Sequence, residues 1–394
     1  MHDGLSTLYG SPPSRSSLDG QQCASAARCV VAVAVCLFSG SAAAQGAMIY
    51  GIMDVGFEYS DMGTAQRARV ISGGLSGSRL GYHAWEDVGR GWTAEFRLES
   101  GIRLDTGILA QGGRMFGRES SVGISHASLG TLKLGRLPTP YWSTQDEVDA
   151  FRRGLNGAPG ALSRSGSVAR EPLPLLVTAR ADNAVDYTSP TWRGFSLDAL
   201  VAAGESNTVV GATRSLGLRF EHGPWVLVSA WGEQESGQPG DGPLKALVTG
   251  VRYDFGPGEL IVGYTDERNF CSACVGRQAQ VAGVAEGGAS SFKLANIGMR
   301  LPLGRFLLIA QYTRITDHSD YAVPLGERDA NYAAVGLEYR LSPRTTLYGG
   351  LGTVDNRNGS KYVLGTGSVQ QPPDFVAAED ARVTTMSMGV RHSF

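Results

Sequence analysis

"LVTGVRYDF", Leu247–Phe255, alternates residue by residue. Leu247, Thr249, Val251, Tyr253 and Phe255 fall on one face. Gly250, Arg252 and Asp254 fall on the other, with Val248 as the single apolar exception. A period of two is the signature of a strand whose faces meet different surroundings. "FGPGE" (Phe255–Glu259) follows at once and reads as a tight turn. Nine alternating residues and a turn are a hairpin arm, and the question is how many such arms the chain holds.

The pattern recurs. "TAEFRLES" (Thr93–Ser100) sets Ala94, Phe96 and Leu98 against Glu95, Arg97 and Glu99. "YAAVGLEYRL" (Tyr332–Leu341) sets Ala333, Val335, Leu337 and Tyr339 against Glu338 and Arg340. At the end, Met386, Met388, Val390, His392 and Phe394 oppose Thr385, Ser387, Gly389, Arg391 and Ser393. Tight links such as "EDVGRG" (Glu86–Gly91), "EHGP" (Glu221–Pro224) and "LPLG" (Leu301–Gly304) alternate with long polar ones. The long ones run from Leu137 to about Ala181, Arg268 to Ser290 and Asp355 to Asp380. A soluble β-sandwich also alternates, but short turns on one rim and long loops on the other belong to transmembrane barrels.

The spacing predicts sixteen strands. Upward ones begin near Ala47, Trp92, Thr131, Phe195, Trp225, Glu259, Arg305 and Thr345. Downward ones begin near Ser76, Phe116, Ala184, Arg214, Leu244, Ser291, Asp329 and Arg382. An even count returns both ends to one rim, so the last strand can pair with the first. An open edge would leave backbone groups unsatisfied in lipid, at several kcal/mol each. Sixteen strands leave a water-filled lumen, whereas eight would be filled by side chains. The fold class expected is therefore all-β, a 16-stranded antiparallel transmembrane β-barrel.

The N-terminal region reads as an export signal. Arg28 precedes the short apolar run Val30 to Phe38, and Ala42, Ala43 and Ala44 fit a small-residue cleavage site. That apolar run is too short for a spanning helix, which needs ~20 residues. The stretch before Arg28 is longer than such signals usually carry. The expected division is residues 1–44 as signal and 45–394 as barrel. The formal charge of −2 gives no reason to expect a nucleic-acid partner. Only 4 of the 35 basic residues are Lys, which names no role by itself. Cys271 and Cys274, spaced C-x-x-C, lack the further ligands of a zinc site and the βαβ setting of a redox motif. In an exported protein they read as a small loop disulfide.

"GGLSGSRLGYHAWEDVGRGWTAEFRLESGI" (Gly73–Ile102) resembles the second and third strands of the trimeric general porins of Gram-negative outer membranes, in the branch common in β-proteobacteria. "GRMFGRESSVGISHASLGTLKLGR" (Gly113–Arg136) is similar to their fourth and fifth strands, "IYGIMDVGFEY" (Ile49–Tyr59) to the first, and "GVRHSF" to the last. The resemblance covers essentially all of residues 45–394. It implies a homotrimer, a long third loop folded into the pore, and a place among outer-membrane lipid and lipopolysaccharide. It also implies delivery by the outer-membrane insertion machinery, with the terminal Phe394 as the assembly signal. No cofactor is implied.

By position in the matching motifs, an arginine ladder on the wall of the narrowest zone would be Arg79, Arg118 and Arg136. Guanidiniums stay charged at any working pH and raise the local anion concentration. The facing carboxylates would be Asp146, Glu147 and Asp149, in "STQDEVDAF". Relatives commonly carry Arg where this chain has His83, which parity turns toward the lumen. An ordinary imidazole loses its charge above about pH 6.5, so anion preference is expected to rise on acidification. The third loop is longer and richer in Arg (Arg152, Arg153, Arg164) than the resemblance leads one to expect.

Catalysis fits poorly. A Ser nucleophile needs a nearby His and an orienting group. "GLSGSRLG" begins like G-x-S-x-G but carries Ser78 at the closing position. No phosphate-binding G-x-x-x-x-G-K-S/T occurs and no metal cluster is evident. The function expected is a passive diffusion channel for small hydrophilic solutes and ions in the cell outer membrane. The alternatives are a channel selective for small organic anions, or a plugged structural or adhesive barrel.

Overall fold

The computed structural model describes residues 46–157, 162–164, 172–173, 179–204, 210–236, 242–270, 289–319, 328–367 and 375–394. The export segment and the Cys271/Cys274 pair lie outside them. The wall is β1 (Gly46–Asp61), β2 in two arms (Gln66–Ser72 and Arg79–Gly89), β3 (Trp92–Gly101), β4 (Glu119–His126), β5 (Gly130–Pro138), β6 (Arg180–Thr188), β7 (Phe195–Ala202) and β8 (Val210–His222). It continues with β9 (Trp225–Ser236), β10 (Leu244–Asp254), β11 (Glu259–Phe270), β12 (Ala289–Leu303), β13 (Phe306–Asp317), β14 (Ala330–Arg340), β15 (Thr345–Asn356) and β16 (Arg382–Ser393).

Every strand pairs antiparallel with the next. The sheet closes where Ile52–Asp61 of β1 meets residues 384–393 of β16. Gly51 and the terminal Phe394 extend that seam, each donating its N–H to the other's carbonyl at 3.1 Å. Sixteen strands with no open edge is the closed barrel that the alternation and the turn lengths demand. The sequence expectation places the start of β2 near Ser76. Instead β2 begins at Gln66 and is interrupted at residues 73–78.

The faces divide as the alternation requires. Val262, Ile297, Val335 and Met388 are 46%, 49%, 50% and 65% exposed on the outside. Inward positions carry Thr, Ser, Asn, Gln and charge, with an apolar patch on β9 to β11. Aromatic pairs ring one rim: Trp225 with Tyr253 at 4.3 Å, Phe306 with Tyr339 at 4.7 Å and Phe195 with Phe220 at 4.3 Å between ring centres. Each joins the start of one strand to the end of a neighbour beside a short turn. That is where amphipathic rings sit at a membrane–water interface. At the tip of the short turns, Gly256 and Gly304 adopt φ of +93° and +63° with open space around them, so backbone conformation is what requires glycine there. Among the described residues no helix is long and apolar enough to cross a membrane. Strands do the crossing.

Candidate functional site

The interruption of β2 has a local cause. The inward carboxylate of Asp54 accepts the N–H groups of Gly74, Leu75 and Ser76 at 3.1, 3.0 and 2.7 Å, and the hydroxyl of Tyr348 at 2.6 Å. Three successive amides turned on one carboxylate cannot also serve a sheet ladder, so the strand bows inward around the anion. The bow leaves the carbonyl of Gly74 free to accept the N–H of Leu155 at 2.7 Å.

Arg79 opens the second arm of β2. Its Nε donates to the carbonyl of Gly77 at 3.0 Å, and Glu99 lies 3.8 Å from Nη1. Arg118 donates to the same Glu99 at 2.5 Å, and Tyr50 donates to it at 2.9 Å. Arg136 donates to the carbonyl of Gly117 at 2.8 Å and meets Asp182 at 2.5 Å, which also takes Arg114 at 2.7 Å. The structure thus brings the three sequence-predicted arginines into one cluster on the wall of β2 to β6. It adds Arg180, which the sequence reading does not name. Arg180 donates to the carbonyl of Arg118 at 2.7 Å and has no ion-pair partner among the described residues. Its position at the head of β6, after the longest loop, is the only signal the sequence carries for it.

His83 faces inward, as parity expects. Its Nε2 lies 2.9 Å from Glu95, whose other oxygen meets Lys133 at 3.4 Å.

The predicted acids lie on residues 140–157, which open as a helix, α1 (Pro140–Glu147). Thr139 caps it, accepting the N–H of Trp142 at 3.3 Å, and Pro140 occupies the first turn. "TP" before an otherwise unpatterned stretch is a helix start that the sequence reading passes over. Asp146 pairs with Arg153 of its own segment at 2.6 Å and lies in electrostatic reach of Arg79. Arg153 in turn stacks 3.3 Å from the centre of the Trp142 ring. Glu147 turns to a different wall, pairing with Arg219 of β8 and with Arg252 of β10 at 2.8 Å. Asp149 accepts the N–H groups of Phe151 and Arg153 at 2.9 and 2.8 Å and so shapes its own turn. The carboxylates bonded to the ladder are therefore Glu99 and Asp182, from the wall itself.

Burial governs the charges of this segment. It raises the Asp146 carboxyl against the pull of Arg153 and Arg152, pushes Asp149 up to about 6, and lowers Arg153 to about 10.

Residues 140–157 are held along the wall by a row of polar contacts. Ser215 of β8 accepts from the N–H of Tyr141 at 2.9 Å, and the Tyr141 hydroxyl donates to Glu267 of β11. Asn296 of β12 donates to the carbonyl of Val148 at 2.7 Å. Gln311 of β13 accepts from the N–H of Ala150 at 2.8 Å and donates to the carbonyl of Gly157 at 3.1 Å. Tyr332 of β14 donates to the carbonyl of Asn156. Each of these buried groups would cost roughly 1–3 kcal/mol if left unpaired.

Between the polar contacts the backbones approach closely. A Cβ at Gly250 would lie 2.5 Å from Val148, one at Gly298 would lie 2.6 Å from Ala150, and one at Gly336 would lie 2.7 Å from Phe151. Around these glycines Val226, Val228, Ala230, Ala246, Val248 and Ile261 point inward and are buried. Val248, the apolar exception in the opening stretch, belongs to this covered patch.

The sequence model of the Gram-negative porins matches residues 30–359. An outer membrane porin protein of Bordetella pertussis is 27% identical over 91% of this chain and 97% of its own. Among solved structures, an anion-selective porin from Comamonas acidovorans superposes with a TM-score of 0.73 at 24% identity, over 89% of this chain and 99% of that one. The trimer form of OmpT, an outer membrane protein of Vibrio cholerae, superposes with a TM-score of 0.64 at 14% identity, over 89% and 99%. A closed sixteen-stranded barrel with a polar interior and an aromatic rim is what such a family would build. The chain belongs to the Gram-negative porin family, as an outer-membrane channel for the passive diffusion of small hydrophilic solutes.

Proposed function

We propose that residues 140–157 fold into the lumen as the third loop and set its narrowest zone. The observation that carries this reading is the row of buried hydrogen bonds to Ser215, Asn296, Gln311 and Tyr332, all inward-facing. In this reading Arg79, Arg118, Arg136 and Arg180 line one side of the gap and Asp146 faces them from the loop. The field across the gap orients dipolar solutes and disfavours apolar ones. Transport needs no turnover and no cofactor.

Within passive diffusion, a preference for small anions is favoured by Arg180. It is a guanidinium beside Arg118 and Arg136 with no carboxylate bonded to it among the described residues. A cavity of about 740 Å³ lined by Arg114, Arg136, Arg180 and Asp182 gives an anion room to approach. The Comamonas relative is named for its anion selectivity. Reconstitution in a planar bilayer under a salt gradient tests both points. Stepwise open-channel currents with an anion-directed reversal potential are expected. A silent bilayer removes the open pore, and a cation-directed potential removes the anion preference.

The functional unit is read as a homotrimer in outer-membrane lipid and lipopolysaccharide. Its mass in detergent decides this, and a monomeric particle would contradict it. Phe394 is read as the signal for the insertion machinery, since its backbone completes the closing seam beside Gly51. Deleting Phe394 should lower the amount reaching the outer membrane several-fold before conductance changes. Normal surface levels of the truncated chain refute that role.

A further inference from the structure

Asn156 lies at the far end of the segment that opens with α1, and it is fully buried. Its side-chain amide has two hydrogens and one oxygen to satisfy. One hydrogen goes to the carbonyl of Gly365 at 3.2 Å and the other to the hydroxyl of Thr366 at 2.8 Å. The oxygen accepts from Ser387 of β16 at 2.6 Å, and the backbone carbonyl accepts from Tyr332 of β14. Gly365 and Thr366 belong to the long connection between β15 and β16. Two of the four bonds to Asn156 therefore come from the wall and two from the last external loop.

The last loop is itself bound inward. Tyr362–Leu364 pairs antiparallel with Leu162–Arg164 of the third loop, which also pairs with Pro172–Leu173, giving a small three-stranded sheet apart from the barrel. Tyr362, Val363 and Leu364 are almost wholly buried. The N–H of Gly367 donates to the carbonyl of Leu155 at 2.6 Å. Thr366 passes its own proton on to Glu58 of β1 at 2.5 Å, and Arg69 of β2 holds the other oxygen of Glu58 at 2.8 Å. A continuous chain thus runs from Arg69 through Glu58 and Thr366 to Asn156, in a site from which water is excluded, where such bonds reinforce one another.

We propose that the last external loop is a latch on the third loop, with Asn156 and Thr366 as the positioning residues of the joint. Pore width is then a property of two loops, the second sharing with the wall the task of holding the far end of the first. Ser215 and Asn296 fix the near end directly to the wall and Gln311 ties both Ala150 and Gly157 to it, whereas at Asn156 half of the side-chain and carbonyl bonding passes through a segment that begins about 200 residues later in the chain. This rests on the reading that the third loop sets the width of the lumen.

Two variants of the full-length trimer separate the latch from that reading. Asn156→Asp keeps the acceptor for Ser387 but sets an oxygen against the Gly365 carbonyl. Thr366→Val preserves volume and removes both of the Thr366 bonds. Each is first checked for an intact barrel by its heat-dependent migration on a gel. Trypsin is then applied at pH 8, and mass spectrometry looks for cleavage after Arg152 and Arg153. In the native protein Arg153 is half-buried, its guanidinium against the Trp142 ring and paired with Asp146. New cleavage there in both variants is the result expected, and its absence in both overturns the latch. Single-channel conductance is read in parallel and should rise by about 1.5-fold or more as the lumen widens. Cleavage with unchanged conductance would keep the latch and remove the third loop as the limiting element.

Discussion

The wall of β2 to β6 and the wall of β8 to β15 are built from the same alternating strands, yet their inner faces differ. The first carries Arg79, Arg118, Arg136 and Arg180 with Glu99 and Asp182 among them. The second carries Gly250, Gly298 and Gly336, with Val226, Val228 and Val248 beside them. A charge is stable on an inner wall only where water or an opposite charge reaches it. Beneath residues 140–157 that hydration is lost, and small or apolar side chains replace ionised ones. Arg219, Arg252 and Arg300 survive on the covered side because Glu147, Glu259 and the carbonyl of Ala150 bind them. The inner face of a strand therefore reports what lies over it.

The largest effect is expected from overfilling the covered wall. Gly298→Leu sets a side chain against Ala150, where even a Cβ would come within 2.6 Å. Overpacking of this kind costs about 1–3 kcal/mol, enough to lift the segment and change single-channel conductance. Gly77→Ala on the arginine wall is the control, since its Cβ would meet only the movable guanidinium of Arg118 at 3.3 Å. Equal conductance in both variants breaks the distinction between the walls.

Removing charge from the arginine wall comes next. Arg180→Gln should lower the anion-to-cation permeability ratio roughly twofold, more so at low salt. Arg219→Gln, on the covered wall and already paired with Glu147 and Glu221, should change it less. Reversal potentials of the two variants compare them directly, and a larger shift from Arg219→Gln would reverse the assignment of the walls.

A smaller effect concerns the pH dependence of the buried turn. Burial holds Asp149 at about 6, above the 3.8 of an exposed Asp. The native state therefore binds this proton more tightly than the unfolded chain. The destabilisation is complete above pH 6, fades as pH falls from 6 toward 4, and is absent below. Its ceiling is about 3 kcal/mol. The stability of wild type relative to Asp149→Asn, from thermal unfolding in detergent, should improve from pH 7 to pH 5. A flat difference would show that the turn does not feel its burial.

The smallest effect is expected at His83, which faces the lumen with Glu95 and Lys133 already beside it. His83→Ala should shift the reversal potential less than Arg180→Gln does. A larger shift from His83→Ala would move the main determinant of selectivity away from Arg180.

Much of the fold was legible because a barrel wall is a local object. Alternation in Leu247–Phe255 or Tyr332–Leu341 depends on lipid outside and polar contents inside, and both act on single residues. The ladder residues Arg79, Arg118 and Arg136 were legible through their motifs. Arg180 was not, because it stands at the end of a long connection where no pattern fixes its parity. The bow in β2 was hidden for a similar reason. "GGLSGS" reads as strand or turn until Asp54, about 20 residues earlier in the chain, is known to offer its carboxylate. Glu147 and Asp149 looked like equals of Asp146 in "STQDEVDAF", and only the path of the segment sent one to Arg219 and Arg252 and the other to its own backbone.

The sequence by itself determined the closed sixteen-stranded wall, its lipid face and its short-turn rim. Period-two alternation and turn residues are dictated by neighbours along the chain and by the bilayer, which cannot leave a backbone group unpaired. Tertiary structure alone decided where residues 140–157 run, which carboxylate meets which arginine, and that Asn156 meets Thr366. Those outcomes depend on contacts between residues about 105 to 210 positions apart. A long polar loop can satisfy its charges in several ways, so its own residues do not single out one path. Val248 shows the boundary between the two. Its apolar character was plain in the sequence, and its reason was a segment about 100 residues away that covers it.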